Sequence, residues 1–104
     1  MKLESFTNND GKIQGYVFHC PGCNNPHAVF IQPHKSPNGA SWSFNGDLTA
    51  PTFSPSLIQR IEYTDGRVEI CHLFVKNGKL EFLNDCTHSM AGITVEMPDI
   101  GEVD

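Results

Sequence analysis

Two dipeptides in the second half of the chain, Asp65-Gly66 and Asn77-Gly78, restrict the fold more than any other feature of the sequence. Aspartate or asparagine followed by glycine favours a two-residue turn between antiparallel strands. Each dipeptide separates runs that are rich in β-branched and aromatic residues, which favour strands. The three predicted strands span residues 57–64, 67–76 and 79–87. The sequence therefore predicts an antiparallel meander over this half of the chain.

Shorter alternating runs predict further strands, at residues 12–18, 27–31, 41–44 and 92–97. Residues 49–56 contain two prolines, which cannot donate to a central ladder, so we expect an edge or a rigid loop there. No helical periodicity is evident. The predicted fold is mainly β: a small antiparallel sandwich or partly open barrel, in a single domain over 1–104.

The sequence His19-Cys20-Pro21-Gly22-Cys23 resembles a zinc knuckle, a tight turn in which two cysteine sulfurs point at one ion. We expect Gly22 to supply the backbone freedom that such a turn needs. Four cysteines in a chain without an apolar signal sequence favour thiolates over disulfides. A redox dithiol would need a helix after Cys23, and none is predicted. The knuckle is therefore interpreted as half of a metal site.

The Asn77-Gly78 turn fixes the register of its hairpin, and this register brings the other two cysteines together. Leu73 opposes Phe82, so Cys71 and Cys86 share a face as diagonal neighbours, roughly 7–8 Å apart between α-carbons. That separation suits two ligands of one tetrahedral ion. The open end of the hairpin is thus predicted to supply the second half of the site.

The predicted cofactor is Zn²⁺. Its four predicted ligands are Cys20, Cys23, Cys71 and Cys86. Three histidines are alternative ligands: His72, His88 and His27. Four protein ligands would close the coordination shell and make the ion structural, because catalysis needs an open position.

His72 falls on the face of the hairpin opposite to Cys71, with Asp85 diagonal to it. An imidazole beside a carboxylate is either a satisfied structural pair or a general base that is held in one tautomer. Because no nucleophile is evident beside the pair, we prefer the structural interpretation. Asp85 would then support the metal site from outside its ligand shell. The assignment assumes an uninterrupted ladder as far as Cys86.

Charge and hydropathy exclude several classes of protein. The formal net charge is −5, and the seven basic residues form no run, so nucleic-acid binding is not expected. No stretch approaches the ~18 apolar residues of a membrane span. We therefore expect a soluble, intracellular protein that does not bind membranes. The motifs of zinc proteases, zinc deaminases and α/β-hydrolases do not occur either.

Four segments in this order resemble a family of small proteins from bacteriophages and prophages: "HCPGC", "WSFNGDLTAPTFSPSL", "CHLFVKNGKLEFLNDCTHSMAG" and "TVEMP". The resemblance runs from about Phe18 to Asp99. It implies a phage or prophage setting, with the protein in the host cytoplasm or associated with the virion.

Three functional hypotheses follow. The first is a small phage-type zinc-binding protein, with a structural ion and a binding role toward a phage or host protein, which requires no enzymatic activity. The second is a zinc-dependent hydrolase with an open coordination position among His27, His72 and His88. The third is an oligomeric virion component, for which we expect a homo-oligomer.

Overall fold

The computed structural model describes residues 1–100, and these residues form two open antiparallel sheets. Their strands are β1 (Glu4–Thr7), β2 (Ile13–Cys20), β3 (Asn25–Phe30), β4 (Ser43–Phe44), β5 (Phe53–Glu62), β6 (Val68–Lys76), β7 (Lys79–Phe82) and β8 (Thr94–Glu96). The sheets have the orders β1-β2-β3 and β4-β5-β6-β7-β8. The prediction of a mainly β, antiparallel fold is confirmed. No α-helix occurs in residues 1–100, so none of them lies in a helix long and apolar enough to cross a membrane.

One cluster of buried side chains joins the two sheets. Its fully buried members include Phe18, Val29, Phe53, Leu73, Val75 and Leu80. Burying one side chain of this size contributes about 1.5–3 kcal/mol. Three of the four cysteines, Cys20, Cys71 and Cys86, belong to the same buried cluster.

The hairpin of β6 and β7 has the register that the sequence predicts. Leu73 lies opposite Phe82, and the turn residues Asn77 and Gly78 have φ angles of 51° and 78°. Positive φ at both central residues is what a two-residue turn between right-twisted strands requires. The Asn-Gly dipeptide therefore fixes this register, as expected.

The other predicted hairpin turn has a different length. Tyr63 N–H donates to the Arg67 carbonyl at 2.8 Å, and Gly66 N–H donates to the Tyr63 carbonyl at 3.0 Å. Three residues, 64–66, therefore form the loop, and Gly66 has a φ of 92°. This is the three-residue hairpin loop in which glycine takes the left-handed position. The register of β5 with β6 is shifted by one residue from that of a two-residue turn.

A bulge interrupts β5 at its second proline. The register with β6 shifts between Phe53 and Leu57, so that residues 54–56 face a single residue, Phe74. Pro55 lies inside the bulge, where its missing N–H breaks no ladder bond. The segment expected to be an edge or loop is thus in part an interior strand, since β5 begins at Phe53.

The ladder between β6 and β7 also ends earlier than predicted. Leu83 N–H still donates to the His72 carbonyl at 2.9 Å, but the chain then turns, and Cys86 N–H donates back to the Leu83 carbonyl at 3.2 Å. The next residue to reach β6 is Thr87, whose N–H donates to the Ile70 carbonyl at 3.0 Å. In an uninterrupted ladder residue 85 would occupy that place. The turn therefore moves Cys86 beside His72.

Candidate catalytic triad and metal centre

The bulge in β5 places a serine beside His72 on the neighbouring strand. Ser56 Oγ lies 3.1 Å from His72 Nε2, within hydrogen-bond distance. Bulges commonly re-aim a side chain in this way next to active sites. Ser56 is the residue that the sequence analysis missed, because a two-residue turn at Asp65-Gly66 would put Ser56 and His72 on opposite faces of the sheet.

The other ring nitrogen of His72 contacts Asp85. The Nδ1 atom lies 2.9 Å and 3.2 Å from the two carboxylate oxygens. A carboxylate can only accept, so Nδ1 carries the ring proton and Nε2 is free to accept the Ser56 hydroxyl proton. The predicted juxtaposition of His72 and Asp85 is thus present. It is one part of a continuous Ser56–His72–Asp85 chain of hydrogen bonds.

The side chains of Cys86 and Thr87 attach the turn that carries Asp85 to β6. Cys86 Sγ accepts the His72 N–H at 3.2 Å and donates to the His72 carbonyl at 3.1 Å. Thr87 Oγ1 accepts the Ile70 N–H at 2.9 Å. These bonds take the place of the ladder that ended at Leu83. Cys86 therefore holds the backbone of the histidine whose ring contacts Asp85.

Trp42 connects β5 to the other sheet through hydrogen bonds. Its backbone N–H donates to the Phe30 carbonyl at 2.8 Å, and its carbonyl accepts Gln32 N–H at 2.9 Å. Its indole N–H donates to the Ser56 carbonyl at 3.2 Å. Trp42 therefore connects the end of β3 to the bulge that carries Ser56.

A second chemical cluster lies behind β6, on the core side. Ligand atoms of Cys20, Cys23, His27 and Cys71 all lie within 4.8 Å of one another, so this group can hold a metal ion. The sulfurs of Cys20 and Cys71 are 3.7 Å apart, and Cys23 Sγ is 3.5 Å from His27 Nε2. Tetrahedral zinc with ordinary bond lengths would place two sulfurs about 3.8 Å apart and a sulfur and a nitrogen about 3.6 Å apart. The donor set and the spacing both fit a tetrahedral ion.

The thiols and the imidazole of this cluster shift one another's pKa values. Hydrogen bonds from the Cys20 and Cys71 thiols lower the pKa of Cys23 far below its ordinary value, while hydrogen bonds with Cys20 and Cys23 raise the pKa of Cys71. Burial opposes protonation of His27, but hydrogen bonds with Cys20 and Cys23 outweigh burial and raise the pKa of His27 to about 9. A bound cation would replace these shared protons.

The knuckle itself is built differently from the sequence expectation. The left-handed residue is Asn24, with a φ of 57°, and not Gly22. A Cβ added at Gly22 would come within 2.6 Å of the His88 ring. Glycine is therefore needed at this position for close approach, because the knuckle packs directly on His88.

His27 reaches the cluster because β3 runs antiparallel to β2 directly after the knuckle. It pairs with Phe18 and is buried, with 6% of its surface exposed. In β3 the residues at 27 and 29 point inward and Ala28 points outward. A period-two pattern that places a histidine inward four residues after Cys23 is the signal that identifies His27.

Cys71, Cys86 and His88 form a second group with ligand atoms within 4.8 Å of one another. Its chemistry suits a metal less well. Met90 N–H donates to His88 Nδ1 at 3.2 Å, which leaves the ring proton on Nε2. The Cys86 thiol is engaged with the His72 backbone, and both ring nitrogens of His72 are engaged in the triad. The four-ligand set with Cys86 stays a prediction, and the geometry favours His27 in its place.

Fold and site together define a β-rich chain that has the hydrogen-bonded serine, histidine and aspartate of serine hydrolases and a Cys/His cluster that can hold a metal ion. Residues 2–83 match a family model described as "Bacterial ubiquitination-like system serine protease (BubE)", and the chain belongs to this family. Ser56 and His72 lie within the matched range, and Asp85 lies two residues beyond it. No curated protein and no solved structure matches the chain.

This family membership corrects the functional prediction. The phage-type zinc-binding protein with a protein-binding role is wrong, and so are its alternatives, the zinc-dependent hydrolase among His27, His72 and His88 and the virion component, because the family is described as a serine protease. The phage and prophage setting is not supported either, since the family description names a bacterial ubiquitination-like system. The error has a structural origin, because the serine that partners His72 cannot be seen from the period-two pattern.

Proposed function

We propose that this protein is a serine protease of a bacterial ubiquitination-like system, with Ser56 as nucleophile, His72 as general base and Asp85 as the group that fixes the histidine tautomer. The observation that carries the proposal is the unbroken chain of hydrogen bonds from Ser56 Oγ through the His72 ring to the Asp85 carboxylate. The description of the family supports a serine protease as the class of enzyme. A triad is recognised by geometry and roles, and the order in the chain is not diagnostic.

The reaction follows from the roles of these groups. Ser56 Oγ attacks the carbonyl carbon of a peptide bond, and His72 Nε2 takes the hydroxyl proton. The same nitrogen then gives this proton to the departing amine, which leaves an acyl group on Ser56. Water attacks the ester, again with His72 as base, and releases the acid and the free serine. Asp85 stabilises the imidazolium that forms in each step.

For the Cys/His cluster we propose Zn²⁺, bound by Cys20, Cys23, His27 and Cys71. Three sulfurs and one imidazole are a donor set that zinc prefers, and four protein ligands leave no position for water or substrate. When bound, the ion would supply structural stability and no reaction chemistry. Its ligand Cys71 directly precedes His72, so the ion would hold the knuckle to the strand that carries the general base.

A serine-directed fluorophosphonate probe tests the proposal directly. We expect the probe to form a covalent adduct that peptide mapping by mass spectrometry locates at Ser56. His72 is the group that activates the hydroxyl, so the His72→Ala variant should lose labelling. Ser54, in the same bulge, is the internal control and should stay unmodified. An adduct at Ser54, or equal labelling in the His72→Ala variant, would contradict the assignment.

We expect the Asp85→Asn variant to retain the fold and to lose about 10²–10³-fold in kcat on a peptide substrate. The amide can present its own N–H to His72, which favours the wrong tautomer. The loss should be smaller than for a buried aspartate, because 53% of the Asp85 side chain is exposed and solvent screens the pair. Steady-state kinetics measure the effect, and an unchanged kcat would assign the pair a purely structural role.

A further inference from the structure

One edge of β3 has backbone groups that no strand pairs with. In the ladder with β2, Ile31 N–H donates to the Gln14 carbonyl, so the odd-numbered residues of β3 point their backbone groups toward β2. The backbone N–H and carbonyl of Ala28 therefore point away from the sheet. Within residues 1–100 this edge is met only at its end, where Trp42 N–H reaches the Phe30 carbonyl.

The side of β5 that points away from β6 is open in the same way beyond its short pairing with β4. Tyr63 N–H donates to the Arg67 carbonyl, so in this ladder the odd-numbered residues of β5 bond to β6. The backbone groups of Ile58 then point to the other side. The short strand β4 pairs with β5 only at residues 53–54 and does not cover Ile58. The Trp42 indole reaches this edge at the Ser56 carbonyl, two residues before Ile58.

Residues of both edges line one cavity. Its volume is about 220 Å³, and its walls are Pro26, His27 and Ala28 of β3, Trp42, and Leu57, Ile58 and Gln59 of β5. No lysine, arginine, aspartate or glutamate lines it. Ile58 is 60% exposed although its side chain is large and apolar. Trp42 lines the end of the slot that lies nearest to Ser56, because its indole N–H donates to the Ser56 carbonyl.

We propose that this slot, defined by Ala28, Trp42 and Ile58, binds the substrate as an extended peptide strand that pairs with both open edges and leads its scissile bond to Ser56. The inference rests on the proposed protease function. An extended peptide has alternating N–H and carbonyl groups on both sides, and these can bond to the unpaired backbone groups of both strand edges. Because no lysine, arginine or carboxylate lines the slot, it favours peptides whose side chains there are apolar or small. A small ligand would satisfy one edge at most.

Proline substitutions in the slot test whether the substrate pairs with the strand edges, without disrupting the fold. Ala28 N–H takes no part in the ladder with β2, and Pro26 already occupies the same edge two residues earlier, so Ala28→Pro should preserve the sheet. Removing this donor and filling its place with a ring should lower cleavage about tenfold. The measured quantity is the rate of cleavage of an amine-blocked mixture of bacterial tryptic peptides, divided by the rate at which a small fluorophosphonate labels Ser56.

The matched control is Arg60→Pro. The Arg60 N–H points to the same side of β5 as that of Ile58, but Arg60 does not line the slot, so the ratio should stay at the wild-type value. Ile58→Pro is measured as a second slot variant, and metal content and circular dichroism confirm that each variant is folded. If neither Ala28→Pro nor Ile58→Pro changes the ratio, the proposal that the slot binds the substrate is wrong. It is also wrong if the enzyme is labelled at Ser56 but cleaves no peptide of the mixture. An enzyme that is not labelled at all overturns the protease function itself.

Discussion

Replacing Ser56 by alanine is expected to lower kcat on a peptide substrate by about 10⁵-fold or more while leaving the fold intact. The hydroxyl is the only group of the triad that forms a bond to the substrate, so nothing remains for His72 to activate. Its removal costs little stability, because Ser56 is partly exposed on the outward face of β5 and its hydroxyl bonds to the His72 ring rather than to the core. Single-turnover and steady-state kinetics on the purified variant measure the loss.

The bulge provides the matched control for this experiment. Ser54 lies two residues earlier in the same bulge and is exposed, and its backbone carbonyl accepts the Ser43 hydroxyl at 3.3 Å. Ser54→Ala removes the same atom from the same local structure, so kcat should stay within about twofold of wild type, as for other surface changes. If Ser54→Ala abolished cleavage and Ser56→Ala did not, the nucleophile would be misassigned.

The parts of this fold that can be predicted from sequence are those set by local chemistry. Asn77-Gly78 dictates a two-residue turn whatever the rest of the chain does, and it places Cys71 and Leu73 on the core face. The knuckle between β2 and β3 is likewise local, because Cys20 and Cys23 are held by one tight turn. Three of the four residues in the Cys/His cluster can therefore be predicted from short-range sequence signals alone.

The triad could not be found in this way, because it depends on two changes of register. Asp65-Gly66 is compatible with a two-residue or a three-residue loop, and one residue of difference exchanges the faces of β5 relative to β6. The bulge around Pro55 then sets where Ser56 lies along the strand. Neither the length of this loop nor the position of the bulge can be predicted from the period-two pattern, since both depend on how the core side chains pack.

The replacement of Cys86 by His27 in the favoured ligand set has a similar origin. The sequence puts Cys86 on an uninterrupted strand, whereas the turn after Leu83 moves it beside the His72 backbone. That turn also brings Asp85 to the His72 ring. The interruption of the ladder thus places Cys86 against β6, where its thiol bonds to the His72 backbone.

The second large effect concerns the metal centre, for which we expect Cys71→Ser to abolish stoichiometric zinc binding and to destabilise the fold severely. Structural zinc contributes about 10–16 kcal/mol in small metal-binding peptides, which is comparable to the whole stability of a domain. Losing even about 3 kcal/mol of this would lower Tm by roughly 12–24 °C at this chain length. Elemental analysis and thermal unfolding, with and without chelator, measure the two quantities.

Cys86→Ser is the control that separates the two ligand sets. Cys86 is buried like Cys71 and belongs to the same core cluster, but its thiol bonds to the His72 backbone and not to the knuckle. The variant should retain one zinc per chain and a Tm near that of wild type, whereas His27→Ala should lose the ion. If instead Cys86→Ser lost zinc and His27→Ala retained it, the four-cysteine set would hold. Because Cys71 and His72 are consecutive, the ion and the general base depend on the same stretch of β6, so loss of zinc should also lower kcat.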